Sequence, residues 1–294
     1  MDAFLSRISG GEILIADGAM GSMLMARGLE AGKPPESFNL SRPEVLKEIA
    51  RLYHQAGAEI IQTNTFGGSP LKLASYSLDD KTEEINRNAV RAVKEEIGEK
   101  AYISASCGPS GKILKPYGDT EPEALYDSFY RQLAVVISEG VDIICVETMT
   151  DVKEAVLAVR AARAISPDIP VMATMTFDST TRGFFTIMGV DIPKAIGELT
   201  GAGANIVGSN CGNGIEKMIL IAREFLRYTD VPVLIQSNAG LPELKNNIPV
   251  YPETPEFMAR KSLELAAEGV SIIGGCCGTT PDHIRAIRNA VKPD

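Results

Sequence analysis

The chain has 294 residues, 45% hydrophobic and 23% charged, which excludes disordered, collagen-like and fibrous classes and supplies enough apolar material for a full core. Asp and Glu number 38 against 29 Lys and Arg, a net charge of -9, the wrong sign for a phosphate-backbone binder or a polybasic membrane anchor, so neither nucleic acid nor membrane is an expected partner. No apolar run approaches the roughly 18 residues of a membrane span, and the early run 13–16 is stopped by Asp17 before it could form a signal-peptide core; a cytoplasmic protein is expected.

Runs rich in Val, Ile and Ala recur at 13–17, 60–65, 102–107, 143–148, 171–177, 206–211, 233–238 and 272–276. They are nearly continuously apolar rather than alternating, the pattern of strands covered on both faces. Segments of helical period follow each of them, at 43–56, 81–97, 123–139, 151–165, 192–200, 215–228, 255–267 and 281–291. Ser41 before Pro43, Thr254 before Pro255 and Thr280 before Pro281 place a hydroxyl cap beside a first-turn proline. Eight alternating units joined by short turns predict one (β/α)8 TIM barrel over residues 1–294, with an open doubly wound sheet as the alternative. The long loops 26–40, 66–78 and 107–120 all follow strand ends. In a barrel they gather on the C-terminal face, where active sites are built.

Five cysteines are too few, and odd in number, for a disulfide framework. Two histidines, His54 and His283, rule out three-His and HExxH metal sites. Cys145 within a strand reads as a small buried hydrophobe, and so does Cys107, although its strand end could face a pocket. The pair Cys276-Cys277 ends the eighth predicted strand inside Gly274-Gly275-Cys276-Cys277-Gly278, and Cys211 ends the sixth. Neighbouring side chains on a regular strand point apart, so both thiols reach one ion only where the glycines let the backbone leave strand geometry. The sixth and eighth strand ends share one rim of a barrel, so three thiols would converge there with room for a fourth ligand, an open zinc site. Inert packing or a vicinal disulfide is the competing reading, and spacing alone leaves the two open.

The motifs Asp17-Gly18-Ala19-Met20-Gly21, Thr63-Asn64-Thr65-Phe66-Gly67, Glu147-Thr148-Met149, Asn210-Cys211-Gly212, Ser237-Asn238-Ala239-Gly240 and Gly274-Gly275-Cys276-Cys277-Gly278-Thr279-Thr280-Pro281 resemble the zinc-dependent homocysteine S-methyltransferase family, above all its cobalamin-dependent branch. The likeness runs from about residue 12 to 291. It implies Cys211, Cys276 and Cys277 as zinc ligands and Asn238 as a fourth, oxygen ligand that leaves when homocysteine arrives. The betaine-using branch has a Tyr beside the strand-four Glu; here that neighbour is Thr148.

The resemblance implies methylation of homocysteine to methionine. A free thiol titrates near 8.5 and is mostly protonated at neutral pH, whereas coordination to zinc releases its proton. Asp17 and Glu147 would accept hydrogen bonds from the substrate ammonium, and the backbone from Gly18 and Ala19 to Gly21 would donate to its carboxylate. The methyl donor implied is methylcobalamin or another methylated corrinoid, carried by a separate corrinoid protein or, if the chain is a piece of a longer polypeptide, by other domains. S-methylmethionine and S-adenosylmethionine are the alternative donors, and another small thiol is an alternative acceptor. A zinc- or thiol-binding sensor without methyl transfer is the reading from another class; a sensor has no need of an amino-acid clamp.

Overall fold

In the computed structural model, which describes residues 3–30, 32–245 and 248–293, the eight expected strands form one sheet. They are β1 (Leu14–Ile15), β2 (Ile60–Gln62), β3 (Tyr102–Cys107), β4 (Ile143–Met149), β5 (Val171–Met175), β6 (Ile206–Asn210), β7 (Val233–Ser237) and β8 (Ile272–Gly275). Their pairings are all parallel and run in sequence order, with β8 returning to β1. A parallel bridge between Ala16 and Ile60 closes the ring, held by Glu59 N–H donating to Ile15 O at 2.7 Å and Asp17 N–H to Ile60 O at 3.0 Å. The sheet is therefore a barrel, and the open alternative is excluded.

The outer layer consists of α1 (Pro43–Gln55), α2 (Thr82–Ile97), α3 (Pro122–Ser138), α4 (Val152–Ile165), α5 (Ile192–Ala202), α6 (Ile215–Tyr228), α7 (Pro255–Glu268) and α8 (Pro281–Val291). Thr254 caps α7 by accepting from Phe257 N–H, and His283 Nδ1 accepts from Thr280 N–H at 3.1 Å at the start of α8. The expected cap at Ser41 does not form. Ser41 closes a short helix, Phe38–Ser41, and donates to Ser37 O, while Arg42 is the N-cap residue of α1.

The continuous apolar character of the strands follows from their two-sided burial. Leu14, Ile60, Ile143, Met172, Ile206, Leu234 and Ile272, one from each of seven strands, fill the lower barrel interior together with Cys145. The residues next to them, among them Ile15, Ile61, Ile144, Val207, Ile235 and Ile273, pack outward against the helices. A period of two means that the inward positions climb each strand. They change from apolar at the bottom to Gln62, Ser106, Glu147, Thr174, Asn210 and Gln236 at the C-terminal end, so the barrel has an oily floor and a polar mouth.

Besides short helical turns in the strand-to-helix loops, such as Met20–Met25 and Pro70–Leu73, larger features go beyond the expected elements. An N-terminal helix, Ala3–Ser9, inserts Phe4 and Ile8 into the floor cluster. Two antiparallel hairpins rise from the loops after β5 (Asp178–Thr180 with Gly183–Phe185) and β7 (Glu243–Lys245 with Ile248–Val250). No helix among the described residues is long and apolar enough to cross a membrane.

Candidate metal and substrate site

The C-terminal ends of the strands surround a cavity of about 280 Å³, lined among others by Gly18, Met20, Gln62, Glu147, Cys211, Tyr251, Cys276 and Cys277. Two local departures from strand geometry shape it. Cys211, immediately after β6, lies in the left-handed region at φ 61°, and Gly278 does so at φ 81°. These turns aim the thiols of Cys211, Cys276 and Cys277 at one another, with every sulfur within 4.8 Å of the other two. Cys211 Sγ and Cys277 Sγ are 3.8 Å apart. Three thiolates at 2.3 Å from a tetrahedral zinc would be spaced by roughly 3.8 Å, so the donor set fits such an ion without rearrangement.

Electrostatics around the sulfurs are those of a site that gathers negative charge. Hydrogen bonds from Cys276 and Cys277 pull the Cys211 thiol down to about 3 against burial, with the Gly212 N–H and the Asn238 side chain assisting. Having one thiolate already present pushes Cys277 up to about 11, and Cys276 rises well above the thiol range. A divalent cation would relieve this mutual repulsion.

Glu147 stands on the inward face of β4, beside the sulfurs. Oε1 accepts from Ser106 Oγ and Oε2 from Asn210 Nδ2 at 3.1 Å. Burial pushes its carboxyl up to about 7, the Ser106 hydroxyl opposing and the Cys211 charge adding to the rise. Asp17 is fully enclosed. Its Oδ2 accepts from Gln62 N–H at 2.7 Å and Oδ1 has no partner, and burial, with Glu147's charge adding, pushes it up to about 8. It does not line the cavity, which Gln62 does. Asn238 is likewise buried and absent from the cavity lining; its side chain hydrogen-bonds Cys211, its Oδ1 has no partner, and its backbone N–H donates to Asn213 O. Gly18 and Ala19 line the cavity, but the Ala19 N–H donates to Thr279 Oγ1 at 3.1 Å. A Cβ on Gly18 would lie 2.5 Å from that same oxygen, so only glycine fits.

Cys107 and Cys145 are kept away from the mouth. Cys107 faces outward and its Sγ lies 3.6 Å from Gln132 Oε1 on α3, while Cys145 belongs to the floor cluster. Burial raises both thiols.

Tyr251, which no motif singled out, enters from the end of the second hairpin. Its ring packs on Gly278, where a Cβ would come within 2.0 Å of Cγ, and burial beside Cys277 and Cys211 pushes its phenol up to about 12. Its only signal in the sequence is the glycine it covers, far along the chain.

Comparison with known proteins agrees with this constellation. The family model for homocysteine S-methyltransferase matches residues 14–291. The chain is 35% identical to methionine synthase of Mycobacterium tuberculosis and 34% identical to that of Mycobacterium leprae, in each case over 95% of this chain and 24% of the relative. It thus spans about a quarter of the length of those relatives. The crystal structure of the homocysteine methyltransferase MmuM from Escherichia coli in its metallated form shares the fold, with a TM-score of 0.80 over 98% of this chain and 99% of that one at 20% identity. A match over nearly the whole barrel, in a chain whose strand ends bring together three cysteines and a buried glutamate, shows that it belongs to the homocysteine S-methyltransferase family.

Proposed function

We propose that this chain methylates homocysteine to methionine at a zinc site formed by Cys211, Cys276 and Cys277, with Asn238 as an oxygen ligand before substrate binds, and that the methyl group comes from methylcobalamin or a corrinoid protein. The observation that carries the reading is the set of three sulfurs within 4.8 Å of one another in the same cavity as Glu147. Zinc bound there would release the thiol proton of an entering substrate, so that the sulfur is a thiolate at neutral pH.

The remaining work falls to the chain itself. Glu147, anchored at both oxygens, accepts the substrate ammonium and regains as an anion what burial took from it. Asp17, enclosed below the cavity, accepts from the Gln62 N–H and so steadies the strand end that presents Gln62 to the substrate. The backbone of the Asp17–Gly21 loop receives the substrate carboxylate; with the Ala19 N–H engaged by Thr279, this role falls to Gly18, Met20 and Gly21. Met25, Phe66 and Tyr251 form an apolar wall that keeps water from the sulfur and leaves one side open to the methyl group. A reducing, cytoplasmic setting suits three thiols this close together.

A donor carried by a protein is favoured by the rim. Met25, Ile113, Tyr117, Ile187 and Leu244 all lie in the segments that join a barrel strand to the next outer helix, and all are at least half exposed. Apolar loop tips around an open mouth suit a macromolecular surface better than a small cation, which needs an enclosing aromatic cage. The test is a donor panel. Zinc-loaded protein and homocysteine are incubated in turn with methylcobalamin, S-methylmethionine and S-adenosylmethionine, and methionine is measured. Methionine from methylcobalamin is expected; product from either sulfonium donor alone would overturn the donor assignment, and none from any donor at full zinc occupancy would favour a sensor.

A further inference from the structure

We propose that Asn210 is a positioning residue for the substrate: its side-chain amide holds the Glu147 carboxylate and the turn at Thr148 in place above the three cysteines. The inference rests on the reading of the cavity as a homocysteine site. Asn210 ends β6 and is completely buried. Its Oδ1 accepts from Thr148 N–H and from Thr174 Oγ1, each at 2.8 Å. Its Nδ2 donates to Thr148 Oγ1 at 2.7 Å and to Glu147 Oε2 at 3.1 Å, and lies 3.9 Å from Cys276 Sγ. Two donors and two acceptors are all that an amide has, and each is engaged.

The need for such a brace lies in the sheet. β4, which carries Glu147, and β6, which leads into Cys211, are not neighbours, because β5 runs between them. Ladder hydrogen bonds therefore cannot set the distance from the carboxylate to the sulfurs. β4 also loses its regular register with β5 between Val146 and Met149, where Thr148 takes a left-handed φ of 59°. A β-branched residue rarely adopts that conformation and persists in it only where its surroundings hold it. Asn210 binds both the N–H and the hydroxyl of Thr148, and the residue after Asn210, Cys211, is left-handed too. One side chain thus ties two strained turns together and fixes the clamp relative to the metal-binding thiols.

The test compares two thiols on zinc-loaded protein by calorimetry: homocysteine, and 4-mercaptobutyrate, which keeps the thiol and carboxylate but lacks the ammonium. Wild type is expected to favour homocysteine by about tenfold or more, the worth of a charge-assisted hydrogen bond. Asn210→Ala should bring that preference within about threefold with one zinc per chain retained, because 4-mercaptobutyrate does not use Glu147. Thr174→Val, which removes a single bond to Asn210 and keeps side-chain volume, should reduce the preference by a smaller factor, and carries the test if Asn210→Ala does not fold. A preference unchanged in the folded variants, or affinities for both thiols that fall together, would overturn the role of Asn210. Wild-type protein that binds both thiols alike would instead refute Glu147 as the ammonium clamp, and the inference with it.

Discussion

Replacing Glu147 by Gln should make the metal-free protein more stable at alkaline pH while weakening homocysteine binding. In the folded protein the carboxyl is pushed from 4.5 to about 7, chiefly by burial. Its folded value lies above its unfolded value, so the native state holds the proton more tightly, and stability falls as pH rises through the window from 4.5 to 7. At about 1.4 kcal/mol per tenfold, an ionised Glu147 costs the native state about 3 kcal/mol above that window. Gln carries no charge and escapes the penalty. Its carbonyl oxygen can still accept from Asn210 Nδ2 while its amide N–H donates to the Ser106 hydroxyl, and any residual difference in those bonds does not depend on pH. The decisive quantity is therefore how the stability difference between the two proteins changes with pH. Urea unfolding of both proteins, free of metal and under reductant, should show Glu147→Gln gaining about 2 kcal/mol on wild type between pH 5 and pH 8. Equal differences at the two pH values would show that Glu147 is not held in the strained, charge-seeking state on which the clamp depends.

Three further outcomes are expected. Cys211→Ser and Cys276→Ala should lose zinc and activity together, because three protein sulfurs leave no redundancy; elemental analysis beside the methionine assay checks this, and chelation followed by zinc addition should restore the wild type alone. Gly278→Ala should weaken zinc binding by about tenfold or more in competition with a chromophoric chelator, since the added methyl would collide with the Tyr251 ring that covers Cys277. Gly208→Ala on the inward side of β6 should lower stability by about 3 kcal/mol at an unchanged urea slope, because its Cβ would lie 1.8 Å from Leu234 O on the adjacent strand.

Much of the scaffold was legible before any coordinates. The eight apolar runs and eight amphipathic segments are local patterns, set by burial on one side or both, and each reappears as a strand or helix of the barrel. Convergence of Cys211 with Cys276 and Cys277 was readable too, because counting strands places both loops on one rim. The N-terminal helix was not, since seven residues followed at once by Gly10-Gly11 form no helical stripe long enough to stand out, and its burial depends on the barrel floor it closes. Nor were the hairpins, whose three-residue strands are too short to carry a period.

What the sequence determined by itself is the alternation of elements and the kinds of side chain at each strand end, because both are written in residue type and spacing. Only the tertiary structure decided which of those side chains face the cavity and which stand behind it. Asp17 and Asn238 sit in motifs like that of Glu147 yet are enclosed, whereas Gln62 and Tyr251 reach the mouth. Side-chain direction at a strand end depends on where the backbone leaves the ladder, as at the left-handed Thr148 and Cys211. That departure is settled by contacts such as Asn210 to Glu147, across strands that are neighbours neither in sequence nor in the sheet.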